Sequence, residues 1–474
     1  MQISKRTITV FGVLAGSFLA AVEATIVSTA MPTVVAQLGG LAHYSWVFSG
    51  YILTSTVTMP LWGKLSDLFG RKPFYLASIG LFLTGSALSG ASQSMSELVV
   101  FRAIQGLGAG GLLPLGMTII GDLYTLEERA RMQGLFGVVW GIASIVGPLV
   151  GGLITQAFSW RWVFYLNLPL GTAAAILVAI GLGASARPSR RPVDYPGALA
   201  MIGALTVLML ALSQTGQRDG VLGARTLGLL YVVACVLGAL FVWIERRASE
   251  PILPLAMLRG RFLSAVTACG FLLGVAIFGS LSFVPLFIQS AMGGSATQAG
   301  SALTPLLLGW VGMSFVTGRV LPRVGYRPLI VGGLFLVTVG FMGLLQVSRH
   351  STLAMIYVAL GLLGVGMGMT TLSLMLALQN AVPRSHLGVA TSVGAFTRSI
   401  GGAIGVALLG TVVTASLPAA GHVQPADMEH ALHRAFLLAA ASSVLAFMIS
   451  LRVPPGLPSR PGQTLGEAQP TPSP

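Results

Sequence analysis

Charge is what this sequence has least of. Its 474 residues include 27 Lys and Arg and 13 Asp and Glu, 8% charged in all, where a soluble domain carries about 25%. Hydrophobic residues make up 54%, and the mean hydropathy is +0.85. A water-soluble fold cannot hide that much apolar surface, and a disordered chain would be far more polar. Cysteine is nearly missing as well. Cys235 and Cys269 both lie in apolar stretches and form neither a disulfide framework nor a thiolate metal site. No Walker A sequence is present, which argues against ATP hydrolysis within this chain. The net charge of +14 is not a nucleic-acid footprint, because the basic residues sit in short loops between apolar spans. These absences leave an integral membrane protein.

Glycine and long apolar runs are what is there. The 61 glycines are about twice average usage, a cost inside soluble helices but a means of close helix approach in a membrane. A helix needs about 20 apolar residues to cross the hydrocarbon. Fourteen such segments are read, centred near Ala20, Ser55, Leu83, Gly110, Ala143, Thr172, Leu205, Val236, Val275, Trp310, Val337, Val365, Ile400 and Ser443. The first run, from Ile8 to Ala30, is long enough to span and leads straight into a second span, so it reads as a membrane helix rather than a cleavable signal. From Pro454 onward the chain is rich in Pro, Gly and Ser and reads as a short disordered tail.

The positive-inside rule tests this count. With the N-terminus in the cytoplasm, 20 of the 27 Lys and Arg fall on inner loops and tails. Five fall outside (Arg161, Arg218, Arg225, Arg349 and Arg434), and Arg102 and Arg398 lie within spans. That asymmetry places both ends in the cytoplasm. Arg outnumbers Lys 24 to 3, the codon signature of a GC-rich bacterial genome, so a bacterial cytoplasmic (inner) membrane is expected.

A duplication is legible. Gly63 to Pro73 (GKLSDLFGRKP), placed in the loop after the second span, matches Gly318 to Pro328 (GRVLPRVGYRP) at an offset of 255. Gly134, Gly147 and Gly151 match Gly388, Gly401 and Gly405 at 254. Two matches at nearly one offset mean duplicated halves. The expected fold is all-α, with two six-helix bundles, 1–185 and 261–453, an inserted helix pair with flanking loops at 186–260, and the tail at 454–474. Parallel repeats of this kind are a transporter architecture with the substrate site between them.

Among the 13 acids only Glu23 falls deep inside a span. An intramembrane carboxylate is functional by default, and burial disfavours its charged form, which suits a group that loads and releases a proton. The bland alternative is a structural carboxylate satisfied by a neighbouring helix. Arg102 is the natural partner. By helical rise Glu23 is about 13 Å and Arg102 about 8 Å from the outer edge, within direct or water-bridged reach if their helices face each other. Its own bland reading is snorkelling to the outer interface. On the inner side, Asp67 and Arg71 have the i,i+4 spacing of an ion pair, and Asp122 closes the fourth span nearby. The cluster reads as a latch on the inner mouth, or else as solvated topogenic charge. In the fifth span Gly141, Gly147, Pro148, Gly151 and Gly152 give two small-xxx-small pairs about a proline, a close-packing face with a kink. Gln105 and Gln289 are weak candidates for substrate contact.

Other patterns are decoys. Gly106 to Gly111 satisfies G-x-G-x-x-G but lies inside an apolar helix, so it is no dinucleotide site. His430 and His433 have metal-like spacing but read as an interfacial helix at the outer surface, and no metal site is expected. Trp160, Trp162 and Tyr165 read as an aromatic belt.

Four motifs in order carry a family resemblance. Val22 to Pro32 (VEATIVSTAMP), Gly63 to Pro73, Arg102 to Gly110 (RAIQGLGAG) and the fifth-span glycines resemble those of the major facilitator superfamily, in its 14-helix drug/proton antiporter branch. The resemblance implies Glu23 and Arg102 as the proton-coupling pair. It also implies a cytoplasmic relay of Asp67, Arg71 and Asp122 with Gly63 and Gly70, and an antiporter packing motif at the fifth-span glycines. There are departures. Glu23 stands where the family usually has Asp, and Pro322 stands in the second repeat where Asp67 stands in the first. The extra C-terminal acids of some multidrug members are missing, which speaks against divalent cationic drugs. The expected function is proton-driven efflux of amphipathic, cationic or neutral compounds by alternating access. Export of one metabolite, siderophore or lipid is the alternative, and a sensor without transport is a third reading. No enzyme activity and no cofactor are expected, the proton gradient being the energy source. The expected partners are a small-molecule substrate, protons and the lipid bilayer, with no nucleic acid. The chain works either with a periplasmic adaptor protein or as a monomer.

Overall fold

The computed structural model describes residues 4–39, 44–183, 194–214, 223–248, 251, 260–294, 296–383, 386–418 and 424–454. The expected disordered tail lies outside these residues, apart from Pro454. The first bundle is built from α1 (Lys5–Leu38), α2 (Tyr44–Phe69), α3 (Arg71–Ala91), α4 (Met95–Leu123), α5 (Leu126–Ala157), the short α6 (Arg161–Tyr165) and α7 (Asn167–Gly181). Two helices follow, α8 (Tyr195–Gln214) and α9 (Ala224–Glu245). The second bundle has α10 (Arg261–Leu286), which runs into a π-helical turn at Phe287–Ala291, then α11 (Ala296–Ala302) and α12 (Thr304–Val324). It ends with α13 (Tyr326–Leu345), α14 (Leu353–Asn380), α15 (Leu387–Ser416) and α16 (Pro425–Ser450).

Each of the fourteen apolar centres read from the sequence falls in a helix. Among the described residues, 11 helices are long and apolar enough to cross a membrane. The helix α2 is not among them, and its Thr54, Ser55, Thr56 and Thr58 give the reason. Lipid replaces water around such a bundle, so large apolar side chains stand on its outside: Leu149, Leu153, Val358 and Leu437 are all exposed.

Each bundle has its own core. The second packs around Leu273, Leu334, Leu363 and Phe436. The first packs around Tyr75, Phe82 and Leu115 towards the face that carries both described chain ends. Towards the opposite face it packs around Ile26, Val47 and Trp160. The inserted pair is peripheral. Ala198 and Met201 of α8 pack on Leu61 of α2, while only 6% of the apolar window of α9 is buried.

One expectation needs correcting. The segment Gly63 to Pro73 is not a loop, because α2 continues to Phe69 and α3 begins at Arg71. Only Gly70 separates them, at φ 103°, and its repeat partner Gly325 separates α12 from α13 at φ 82°. Both angles lie in the left-handed region that glycine alone enters without strain. The chain thus turns on one residue at both repeat positions, and the helices run on past the apolar windows. The aromatic belt is corrected too. Trp162 is 55% exposed, but Trp160 is wholly buried, its Nε1 donating to Gln37 Oε1 at 2.9 Å.

Candidate functional site

Glu23 and Arg102 face each other inside the first bundle. Arg102 Nη1 donates to Glu23 Oε1, and neither residue is more than 1% exposed. The second carboxylate oxygen accepts from Asn167 Nδ2 at 2.6 Å. That amide also donates to Ser86 Oγ at 2.9 Å, and Ser86 donates to Phe164 O at 2.9 Å. Arg102 of α4 and Asn167 of α7 thus converge on the carboxylate of α1, and Ser86 of α3 holds the Asn167 amide. Sequence reasoning missed Asn167 and Ser86, since neither is ionisable.

Arg102 has a second set of partners. Its Nη1 reaches Gln105 Oε1 at 2.7 Å and its Nε reaches Val47 O at 3.3 Å. Its guanidinium lies 4.2 Å from the Tyr51 ring centroid, a cation–π contact. The cation is thus held even where the carboxylate is not charged. Gln105 is fully buried, and among the described residues its Nε2 has no hydrogen-bond partner. Gln289 is not part of this cluster, standing exposed on the π-helical turn of the second bundle.

The charges near Gly70 form a second site, where the bundles meet. Arg71 bonds Asp67 through Nη1, Ser66 Oγ at 2.9 Å and, through Nε, Asp122 Oδ2 at 2.8 Å. Asp67 reaches across the interface. Its Oδ1 accepts from Gly388 N at 3.0 Å and its Oδ2 from Val389 N at 2.8 Å. These amides belong to the first turn of α15 and have no partner within their helix, so a carboxylate there both caps it and meets its dipole. Asp67 thus does from another bundle what an N-cap does within one helix.

Close backbone approach makes that reach possible. A methyl placed on Gly63 would stand 2.6 Å from Gly388 O, and one on Gly388 would stand 2.7 Å from Gly63 O. The other crossing repeats the arrangement. A methyl on Gly318 would stand 2.5 Å from Ala130 O, and one on Gly134 would stand 3.2 Å from Ser314 O. The glycines paired by the sequence repeat, Gly63 with Gly318 and Gly134 with Gly388, thus stand at two equivalent contacts, α2 on α15 and α12 on α5. Arg129, counted from sequence only as a loop charge, joins α5 to α14 beside the second contact. It donates to Gly121 O at 2.5 Å and across the interface to Asn380 Oδ1 at 3.2 Å.

The fifth-span glycines divide between two neighbours. A methyl on Gly141 would press on Val311 of α12. Methyls on Gly147 and Gly151 would press on Thr25 and on Ile26 and Thr29 of α1. Gly152 has no such neighbour within 4 Å, and α5 is continuous through Pro148. His430 and His433 turn to different backbone carbonyls, Ala426 O at 2.8 Å and Val347 O at 2.5 Å. No group of three metal-ligating side chains occurs among the described residues.

Two bundles related by repeat, with a buried ion pair in one and a carboxylate latch between them, define a membrane transporter architecture. The family model described as Major Facilitator Superfamily matches residues 13–406. The chain belongs to that superfamily. It is 38% identical over 417 residues to the multidrug transporter protein MdtP of Bacillus subtilis (strain 168), covering 87% of this chain and 76% of that protein. It is 36% identical over 405 residues to multidrug resistance protein 3 of the same organism, covering 85% and 79%. The fold also matches the human organic anion transporter MFSD10 (TETRAN) with a TM-score of 0.68. At 16% identity over 95% of this chain and 100% of that one, the match speaks for the fold alone.

Proposed function

We propose that the chain is a proton-coupled efflux transporter that exports amphipathic compounds by alternating access across a bacterial cytoplasmic membrane, with both termini inside. The observation that carries this reading is the buried Glu23–Arg102 pair, since an ion pair removed from water is costly and is kept where it does work. The names of the two Bacillus relatives support efflux as the direction. With the termini inside, the Asp67 contact to Gly388 and Val389 lies at the inner mouth and serves as the latch that holds that side closed.

The coupling step is a proton transfer to Glu23. A proton arriving from the outer side neutralises the carboxylate and ends its attraction for Arg102. Arg102 then rests on Gln105 Oε1, Val47 O and the Tyr51 ring, and Asn167 loses its charged acceptor. Because α1, α3, α4 and α7 all bond into this cluster, a change of charge there shifts their packing. The inner latch releases in turn as α2 moves against α15. Return of the proton to the cytoplasm restores the pair, and the cycle carries substrate outward.

Inside-out vesicles with a pre-formed pH gradient and a panel of lipophilic dyes and drugs test the reading. Substrate-triggered loss of the gradient in wild type, and none in Glu23→Gln, is the expected result. Silence of wild type across the panel would replace multidrug efflux by export of a single metabolite, siderophore or lipid. Equal activity in both proteins would take the proton away from Glu23.

A further inference from the structure

The buried carboxylate of Glu23 holds two donors, one on each oxygen. Oε1 accepts from Arg102 Nη1, and Oε2 accepts from Asn167 Nδ2 at 2.6 Å. A proton turns one of these oxygens into a hydroxyl and leaves the other as the good acceptor, so one donor loses its place. The two donors are not equally free to leave. Arg102 has Gln105 Oε1 at 2.7 Å and Val47 O at 3.3 Å, with the Tyr51 ring against its guanidinium. Among the described residues Asn167 has no such reserve. Its amide nitrogen carries two hydrogens, one given to Glu23 and the other to Ser86 Oγ at 2.9 Å.

The amide is also fixed in its orientation. Ser86 gives its hydrogen to Phe164 O at 2.9 Å, and a backbone carbonyl can only accept. The Ser86 oxygen must therefore accept from Asn167, which turns the nitrogen of the amide, and not its oxygen, towards Ser86. The same nitrogen faces Glu23. Turning the amide over would leave Ser86 Oγ without its donor. Neither Asn167 nor Ser86 is more than 1% exposed, so bulk water does not replace a bond lost there. The chain from Phe164 O through Ser86 to Asn167 is a fixed support, and Arg102 is the movable partner.

We propose that Asn167 is the positioning residue that steers the transported proton to Glu23 Oε1, the oxygen held by Arg102, and that Ser86 acts through it. The proposal rests on the reading of Glu23 as the proton carrier. The proton adds to Oε1 as an O–H bond, and Oε2 stays the carbonyl acceptor of Asn167. Arg102 keeps its own proton and moves to Gln105 Oε1 and Val47 O. Taking up the proton and releasing the arginine are then one event. Without the amide the proton goes to Oε2 instead, and Arg102 stays on Oε1. The carboxyl is neutralised with α1 and α4 still joined, and the protein binds a proton without using it.

Infrared difference spectra of the full chain in lipid, recorded on acidification, tell the two oxygens apart. The reporter is the carbonyl stretch of protonated Glu23, the band that Glu23→Gln removes. In wild type that carbonyl is held by a neutral amide. In Asn167→Leu it is held by the guanidinium, a stronger donor, and the band is expected to move to lower wavenumber. Ser86→Ala touches neither charged residue but frees the amide to turn, so it is expected to move the band the same way. It also decides the matter where Asn167→Leu does not fold. Both variants are expected to keep the band and to lose the gradient discharge triggered by any dye or drug that discharges wild type. A shift to higher wavenumber in Asn167→Leu would overturn the proposal, since the carbonyl would then have lost its donor with Arg102 already gone. An unshifted band in either variant, or intact discharge, would overturn it too. A wild type without the band fails differently, because it takes the proton from Glu23 altogether.

Discussion

The two crossings between the bundles are built from the same glycines and differ by one carboxylate. Where α2 meets α15, Asp67 caps the amides of Gly388 and Val389. Where α12 meets α5, the repeat partner of Asp67 is Pro322, and the contact rests on backbone approach, with Arg129 tying α5 to Asn380 of the neighbouring α14. The reason lies in where the helices begin. Gly388 is the second residue of α15, which starts at Leu387, so its amide is free. Its repeat partner Gly134 lies about two turns inside α5, which starts at Leu126, so its amide is already used by the helix. A carboxylate at 322 would find no donor. Duplication copied the packing, and only one copy had an exposed helix start for an acid to hold.

The largest break in this comparison comes from the first bundle's own charges. Glu23→Gln is expected to abolish proton coupling and to cost about 3–5 kcal/mol of stability, because it leaves Arg102 buried without its anion. Combining it with Arg102→Gln should recover most of the stability in a thermal melt and none of the coupling. Recovery of coupling in the double variant would mean that the pair is structural.

Next in size are the shared glycines. Gly63→Ala and Gly318→Ala should each cost about 1–3 kcal/mol by forcing the helices apart. Their effects should be alike, since both methyls meet a backbone oxygen at similar range. Spin labels at Lys5 and Arg323, with Cys235 and Cys269 replaced, would read the opening of the face that carries the chain ends. A response confined to Gly63→Ala would show that the crossings are not equivalent in packing.

Asp67→Asn should act on one crossing alone. Loss of the charged cap is worth about 1 kcal/mol, which raises the open fraction read by the same labels roughly fivefold. Smallest of all is Pro322→Asp, expected to leave the closed fraction unchanged. A tighter inner face in that variant would refute the account based on helix starts.

The sequence carried the fold further than it carried the site. Hydropathy located the longer helices because lipid demands long apolar runs, and left out the short α6 and α11; the glycine repeat pointed to the crossings because only glycine allows backbones to meet there. Glu23 and Arg102 were legible because a charge within a span is conspicuous and helical rise fixes its depth. Asn167 was not, since a neutral amide in an apolar helix carries no such mark and its role depends on which face α7 turns inward. Arg129 was hidden among the topogenic charges, though its side chain is 6% exposed. Gln289 stands apart from the Glu23 cluster, exposed on the π-helical turn of the second bundle.

The central claim is that the transported proton resides on Glu23 and that the second bundle carries none. Infrared difference spectra of the protein in lipid, recorded as the pH is lowered, read the carbonyl stretch of protonated carboxyl groups directly. A buried-carboxyl band that grows on acidification, is missing from Glu23→Gln and is unchanged in Asp427→Asn is the predicted result. Persistence of that band in Glu23→Gln would contradict the account.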